Sequence, residues 1–194
     1  MAIDNKSKVT IGEWFFKYRD YTPIPLIILL LAFGEPSVLT ATIGMLSIVF
    51  GELFRIYSVS FIGTVSRTRS SSTGQSLVSS GPFSIVRNPL YVGNFFVSFG
   101  FSLFSGVTWI AALTVFMFAL QYYFIEKYEA SVLTGKFGED YTNYRKKVPA
   151  FIPTSLPKLE NIEWPKDFSP ALKSEKRTLT TIFALLALIV ATAA

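Results

Sequence analysis

Two apolar runs decide the reading of this chain: LYVGNFFVSFGFSLF at residues 90–104 and VTWIAALTVFMFALQYYFI at residues 107–125, separated only by Ser105-Gly106. Neither run carries a charge, and then Glu126-Lys127-Tyr128-Glu129 brings three charges within four residues. Each run falls a little short of the roughly 20 residues that cross hydrocarbon as a helix, so interfacial residues complete the spans. The pair reads as a helical hairpin through a membrane. Working outward, an apolar segment at 22–34 meets a turn at Gly34-Glu35-Pro36-Ser37, and a second run follows at 38–54. A last apolar run, 179–194, lies at the end of the sequence.

Composition agrees. Of 194 residues, 51% are hydrophobic and only 16% charged, against roughly 25% charged in average soluble domains. Mean hydropathy is +0.43. Such a chain needs lipid or a large partner to cover it. The expectation is one domain, residues 1–194: an all-α integral membrane protein with about five transmembrane helices and a cytoplasmic catalytic region. Residues 1–20 have mixed charges and no apolar stretch of their own, so a cleaved secretory leader is not expected.

Charge orients the spans. With the N-terminus inside and five crossings, all 18 Lys and Arg residues fall on the cytoplasmic side, and the outer loops keep only Glu35, as the positive-inside rule requires. The same basicity suits anionic headgroups, so the net charge of +5 is no sign of a nucleic-acid partner. Chemistry is expected in the cytoplasmic segments 55–89 and 126–178. Within the first, the Ser-rich stretch 66–80 reads as a loop.

There is no Cys and no His. Disulfides, thiolate nucleophiles and His- or Cys-ligated metals are excluded, and no metal is expected. The usual neutral-pH base is missing as well. Chemistry must come from carboxylates, Tyr, Lys, Arg, Ser or the backbone.

Three constellations qualify. In Gly81-Pro82-Phe83-Ser84-Ile85-Val86-Arg87-Asn88-Pro89-Leu90-Tyr91-Val92-Gly93, Pro89 suits a first helical turn and puts Asn88 at the cap position. The helix start would offer free N–H groups to a polar ligand, and Gly93 would let a backbone or ligand come close. A plain cap with a topology-setting Arg explains the same residues. At the end of 107–125, Glu126 and Glu129 share a helical face with Tyr122. That arrangement suits a positively charged ligand, or equally a solvated helix end serving nearby bases. Finally, Tyr141, Tyr144, Arg145 and Val148 form one stripe of a short helix, and Val148-Pro149-Ala150-Phe151-Ile152-Pro153 leaves it extended. An interfacial helix with snorkelling basic residues fits the stripe too.

In this order the three pieces resemble the isoprenylcysteine carboxyl methyltransferases and the related phospholipid methyltransferases. That pattern has a Gly-Pro-aromatic turn, Arg-His-Pro-x-Tyr-x-Gly, two spans, a Glu pair, then Phe-Gly-x-x-Tyr-x-x-Tyr and Val-Pro-x-Phe-Ile-Pro. Here the match runs through Gly81–Gly93 and Glu126–Pro153, with Phe137-Gly138 and Tyr141, Tyr144 in register. The resemblance implies S-adenosylmethionine as cofactor. It implies carboxyl O-methylation of a lipophilic, prenylcysteine-like substrate, with membrane lipid around the protein. Arg87, Glu129 and Arg145 would be catalytic. Gly81, Pro82, Phe83, Val86, Asn88, Tyr91, Gly93, Glu126, Tyr141 and Tyr144 would bind the cofactor. Two departures stand out. Asn88 replaces the family's His, so hydrogen bonding survives but a base does not. Ala130 replaces the second Glu of the pair, with Glu126 one turn earlier. Alternative readings are methylation of a phospholipid amine, an NADPH-dependent enzyme like the sterol reductases, and a non-catalytic membrane protein.

Overall fold

The structure is a computed structural model that describes residues 4–62, 76–155, 160 and 162–193. Most of the Ser-rich stretch 66–80 lies outside the described residues. Among them are seven α-helices, one 3₁₀ turn and no strand. The helices are α1 (Asn5–Tyr18), α2 (Ile24–Phe33), α3 (Val38–Ile62), α4 (Pro89–Phe104), α5 (Thr108–Phe137), α6 (Glu139–Lys147) and α7 (Ser169–Thr192). Two of them, α3 and α5, are long and apolar enough to cross a membrane.

Where apolar runs end, these helices do not. The runs 38–54 and 107–125 are only the apolar part of their elements: α3 continues to Ile62 and α5 to Phe137. No Gly or Pro interrupts either extension until Gly135, and α5 stops only at Gly138, whose φ is +56°. At 1.5 Å per residue α5 is about 45 Å long, well beyond a hydrocarbon core of about 30 Å. Likewise α7 begins at Ser169, with Pro170 in its first turn, rather than at Leu179. Helix α2 is short: its ten residues reach about 15 Å, half of that thickness.

A seam of glycines joins α3 to α4. A Cβ on Gly51 would lie 2.7 Å from the Gly93 carbonyl oxygen, and one on Gly44 would lie 2.6 Å from that of Gly100. The helices therefore run antiparallel with their backbones in contact, the packing that small residues permit between membrane helices. At one end of the bundle the α2–α3 and α4–α5 turns meet, where Glu35 N–H donates to the Ser105 carbonyl at 2.8 Å. Leu30, Ile48, Phe101, Phe104, Ile110 and Ile189 pack the interior beneath them. A buried Ser102–Thr114 hydroxyl pair at 2.7 Å ties α4 to α5. The opposite end carries Arg87, Glu126 and α6.

Candidate active site

Helix α6 exists because Gly138 breaks α5 and restarts the chain in a new direction. Its acids, Glu139 and Asp140, sit in the first turn and its bases, Arg145, Lys146 and Lys147, in the last, each opposing the helix dipole favourably. Val148 then turns extended. This exit strand clips onto the chain before α4: Arg87 N–H donates to the Pro149 carbonyl at 2.8 Å and Asn88 N–H to that of Ala150 at 3.1 Å. The Tyr144 hydroxyl donates to the Phe83 carbonyl at 2.6 Å. Gly81, Pro82 and Phe83 form the buried 3₁₀ turn, and the Gly81 N–H donates to Glu163 Oε2 at 3.0 Å. Segments 81–88 and 141–150, far apart in sequence, thus become one platform.

Against that platform lies the part of α5 around Glu126. Glu126 is buried at 5% exposure, and its Oε1 lies 3.0 Å from Arg87 Nη2 and 3.8 Å from Arg145 Nη2. Its other oxygen is 3.0 Å from Lys127 Nζ. Arg87 also donates to the Tyr141 hydroxyl at 3.4 Å. The buried Arg87 Nε has no hydrogen-bond partner among the described residues, an unspent donor that normally costs stability. Burial raises the Tyr141 and Tyr144 phenols above their ordinary value, Tyr144 strongly, with the Tyr141 charge adding to it. Both stay neutral donors at physiological pH.

Glu129 faces elsewhere. It faces the Tyr91 phenol, and the Arg19 charge at the end of α1 acts on it. The Tyr91 and Tyr122 rings meet at 4.5 Å, and Phe118 stacks on Tyr122 at 4.1 Å. So Arg87 and Arg145 come together around Glu126, while Glu129 stands one helical step away in an aromatic wall. Beside the platform, an open groove of about 370 Å³ runs between Leu77, Ser79 and Ser84 on one side and Asp140, Asn143, Tyr144, Lys147 and Val148 on the other.

Asn88 and Gly93 each take a definite structural place. Asn88 occupies the cap position of α4, but its side chain makes no cap bond. Its amide donates to the Ala150 carbonyl at 3.2 Å, so it fastens the exit strand. At Gly93 the close approach is that of α3: a Cβ there would meet Arg55 Cγ at 2.5 Å and the Gly51 carbonyl oxygen at 2.9 Å. Val86 is buried under the platform.

Sequence reasoning missed a further polar chain. Arg55 bonds the Asn94 side chain, pairs with Glu175 Oε2 at 2.8 Å and lies 3.3 Å from Glu52 Oε2. Asn94 donates on to the Tyr122 hydroxyl at 3.4 Å. The available signal was Glu52 and Arg55 at i, i+3 inside an apolar helix, since ionisable residues at membrane depth mark function or its support.

Comparison with known proteins now decides the family. The sequence model of the phospholipid methyltransferases matches residues 39–140. The chain belongs to that family. Its matched region contains the glycine seam, Arg87, Glu126 and Glu129. Among curated relatives, mouse protein-S-isoprenylcysteine O-methyltransferase is 36% identical over 124 residues, 59% of this chain and 41% of that protein. The nickel-cobalt-cadmium resistance protein NccN of Alcaligenes xylosoxydans xylosoxydans is 31% identical over 112 residues, 58% of this chain and 49% of that protein. The cobalt-zinc-cadmium resistance protein CzcN of Cupriavidus metallidurans is 28% identical over 160 residues, 78% and 68% respectively. The chain therefore spans less than half the length of the mouse enzyme and of NccN. No solved structure matches it.

Proposed function

We propose that this chain is a multi-pass membrane methyltransferase that uses S-adenosylmethionine and methylates the carboxyl group of a lipophilic, prenylcysteine-like acceptor. The N-terminus and the site would face the cytoplasm. The observation that carries the reading is the meeting of Arg87, Glu126 and Arg145, from three separate segments, at 3.0 and 3.8 Å in a member of a methyltransferase family.

The residues fit such a donor. An orphaned Arg87 Nε–H awaits an acceptor, and the groove beside Ser84, Tyr144 and Val148 is open to water. Glu126, Glu129 and the Tyr91–Tyr122 wall offer carboxylates and ring faces to a cation. When bound, S-adenosylmethionine supplies an electrophilic methyl group. The chain's own task is alignment: Arg87 and Arg145 orient the acceptor carboxylate, and Glu126 holds both guanidinium groups in position. A carboxylate is already ionised at pH 7 and needs no base, which accords with a sequence without His. Five crossings, with 22–34 and 179–194 included, would leave this end of the bundle at the basic face.

One observation favours a second reading, methylation of a phospholipid amine: Glu129, facing the Tyr91 phenol, could take up the proton that an amine must shed. Calorimetry with S-adenosylhomocysteine tests donor binding, and absence of binding ends both readings. Labelled methyl transfer to a prenylcysteine analogue or to phosphatidylethanolamine then separates them.

A further inference from the structure

Helix α1 has no place in the chemistry above, yet it is firmly seated. A Cβ on Gly12 would lie 2.1 Å from the Phe124 carbonyl oxygen and 2.8 Å from Tyr128 Cβ, so the two helices touch backbone to backbone. Phe15 stacks on Phe124 at 6.1 Å, and the Phe16 ring meets that of Tyr128 tilted, at 5.4 Å. These contacts hold α1 at residues 123–128 of α5, the level where the apolar run gives way to Glu126, Lys127 and Glu129.

The outer face of α1 is left open. Trp14 is 55% exposed and Tyr18 38%, their rings 5.2 Å apart. Lys17 lies 5.5 Å from the Tyr18 ring, and on the neighbouring α5 the exposed Tyr123 ring has Lys8 at 6.0 Å and Lys127 at 5.3 Å. The surface continues through exposed Tyr21 to Ile24 and Ile28 on α2, so an aromatic and basic band leads directly into an apolar flank. Trp and Tyr prefer the membrane–water boundary, and amphipathic helices lie in its plane.

We propose that α1 is an in-plane helix whose Trp14–Lys17–Tyr18 face is seated in the headgroup layer of the cytoplasmic leaflet. This rests on the membrane reading proposed above. Lys6, Lys8, Lys17 and Arg19 are nearly balanced by Asp4, Glu13 and Asp20. Ring insertion therefore outweighs charge attraction, and the seating depends only weakly on anionic lipid. Seated this way, α1 keeps Phe16, over whose ring Arg19 lies at 4.2 Å, in the cluster of Tyr122, Ile125 and Tyr91, so the leaflet becomes part of the wall of the site.

The test keeps Trp14 as sole tryptophan in the full chain (Trp109→Phe, Trp164→Phe), reconstituted in phosphatidylcholine nanodiscs. Lipids brominated near the carbonyl end should quench Trp14 about twofold more than lipids brominated near the chain terminus, with aqueous iodide excluded, as for an interfacial ring. Iodide quenching without bromolipid quenching overturns the proposal in favour of open water. Protection from both overturns it in favour of a protein partner, a second copy included. A Trp109-only version serves as control: if it too ignores bromolipid, the membrane reading fails rather than the seating of α1. Should the tryptophan variants not fold, a spin label on Tyr18→Cys, unique in a chain without Cys, gives the same answer. It should be more accessible to oxygen than to a soluble nickel complex, and the reverse order rejects the seating.

Discussion

The Arg87 guanidinium meets Glu126 and Tyr141 at once. Only a planar guanidinium presents donors in several fixed directions. Arg87→Lys should therefore lower kcat/KM by about 10- to 100-fold, equivalent to about 1.4–2.7 kcal/mol of transition-state binding, in a labelled methyl-transfer assay. Arg145 is 41% exposed and 3.8 Å from the carboxylate, so Arg145→Ala should cost less, below about tenfold. Glu126→Ala strands a buried Arg87 and should destabilise the fold by about 3–5 kcal/mol; thermal unfolding in detergent measures it, and an unchanged midpoint denies Glu126 that duty. Arg87 and Arg145 could be read from the motif. The choice between Glu126 and Glu129 could not. Positions i and i+3 share a helical face, but a rotation of a few tens of degrees sends one carboxylate to α6 and the other to Tyr91, and sequence spacing does not resolve that angle.

Elements owe their arrangement to a few close approaches. The glycines of α3 and α4 are spaced seven residues apart on each helix and face one another. Gly51→Leu should push the helices apart at a cost of about 1–3 kcal/mol. Gly135→Ala, where a Cβ meets nothing within 4 Å, should instead stabilise by up to about 1 kcal/mol. Opposite shifts in melting temperature check the pair. Tyr144→Phe removes the hydroxyl that ties α6 to Phe83, for about 1 kcal/mol, and should weaken S-adenosylhomocysteine binding several-fold by calorimetry. Apolar runs revealed that helices exist and how they are ordered. They did not reveal the ends of α3, α5 and α7, because a charged continuation remains helical until a Gly or Pro stops it. Nor did they expose the seat of α1, since its contacts to Phe124 and Tyr128 depend on which face the fold presents.

For the molecule as a whole, charge distribution and helix packing make one orientation consistent. In sealed right-side-out vesicles, a maleimide should label Ser37→Cys from outside, and Lys166→Cys only after permeabilisation; both positions are exposed. Labelling in the reverse order would invert the topology. The central claim is that Arg87, Glu126 and Arg145 form a methyl-transfer site for a carboxyl acceptor in the membrane. It is tested by incubating reconstituted protein with methyl-labelled S-adenosylmethionine and a prenylcysteine analogue, then counting the methanol that base releases. A labelled methyl ester, reduced at least about 100-fold by Arg87→Ala and less by Arg87→Lys, which keeps a charge beside Glu126, is the expected result. Label that resists base, or an ester yield indifferent to Arg87, would contradict the account.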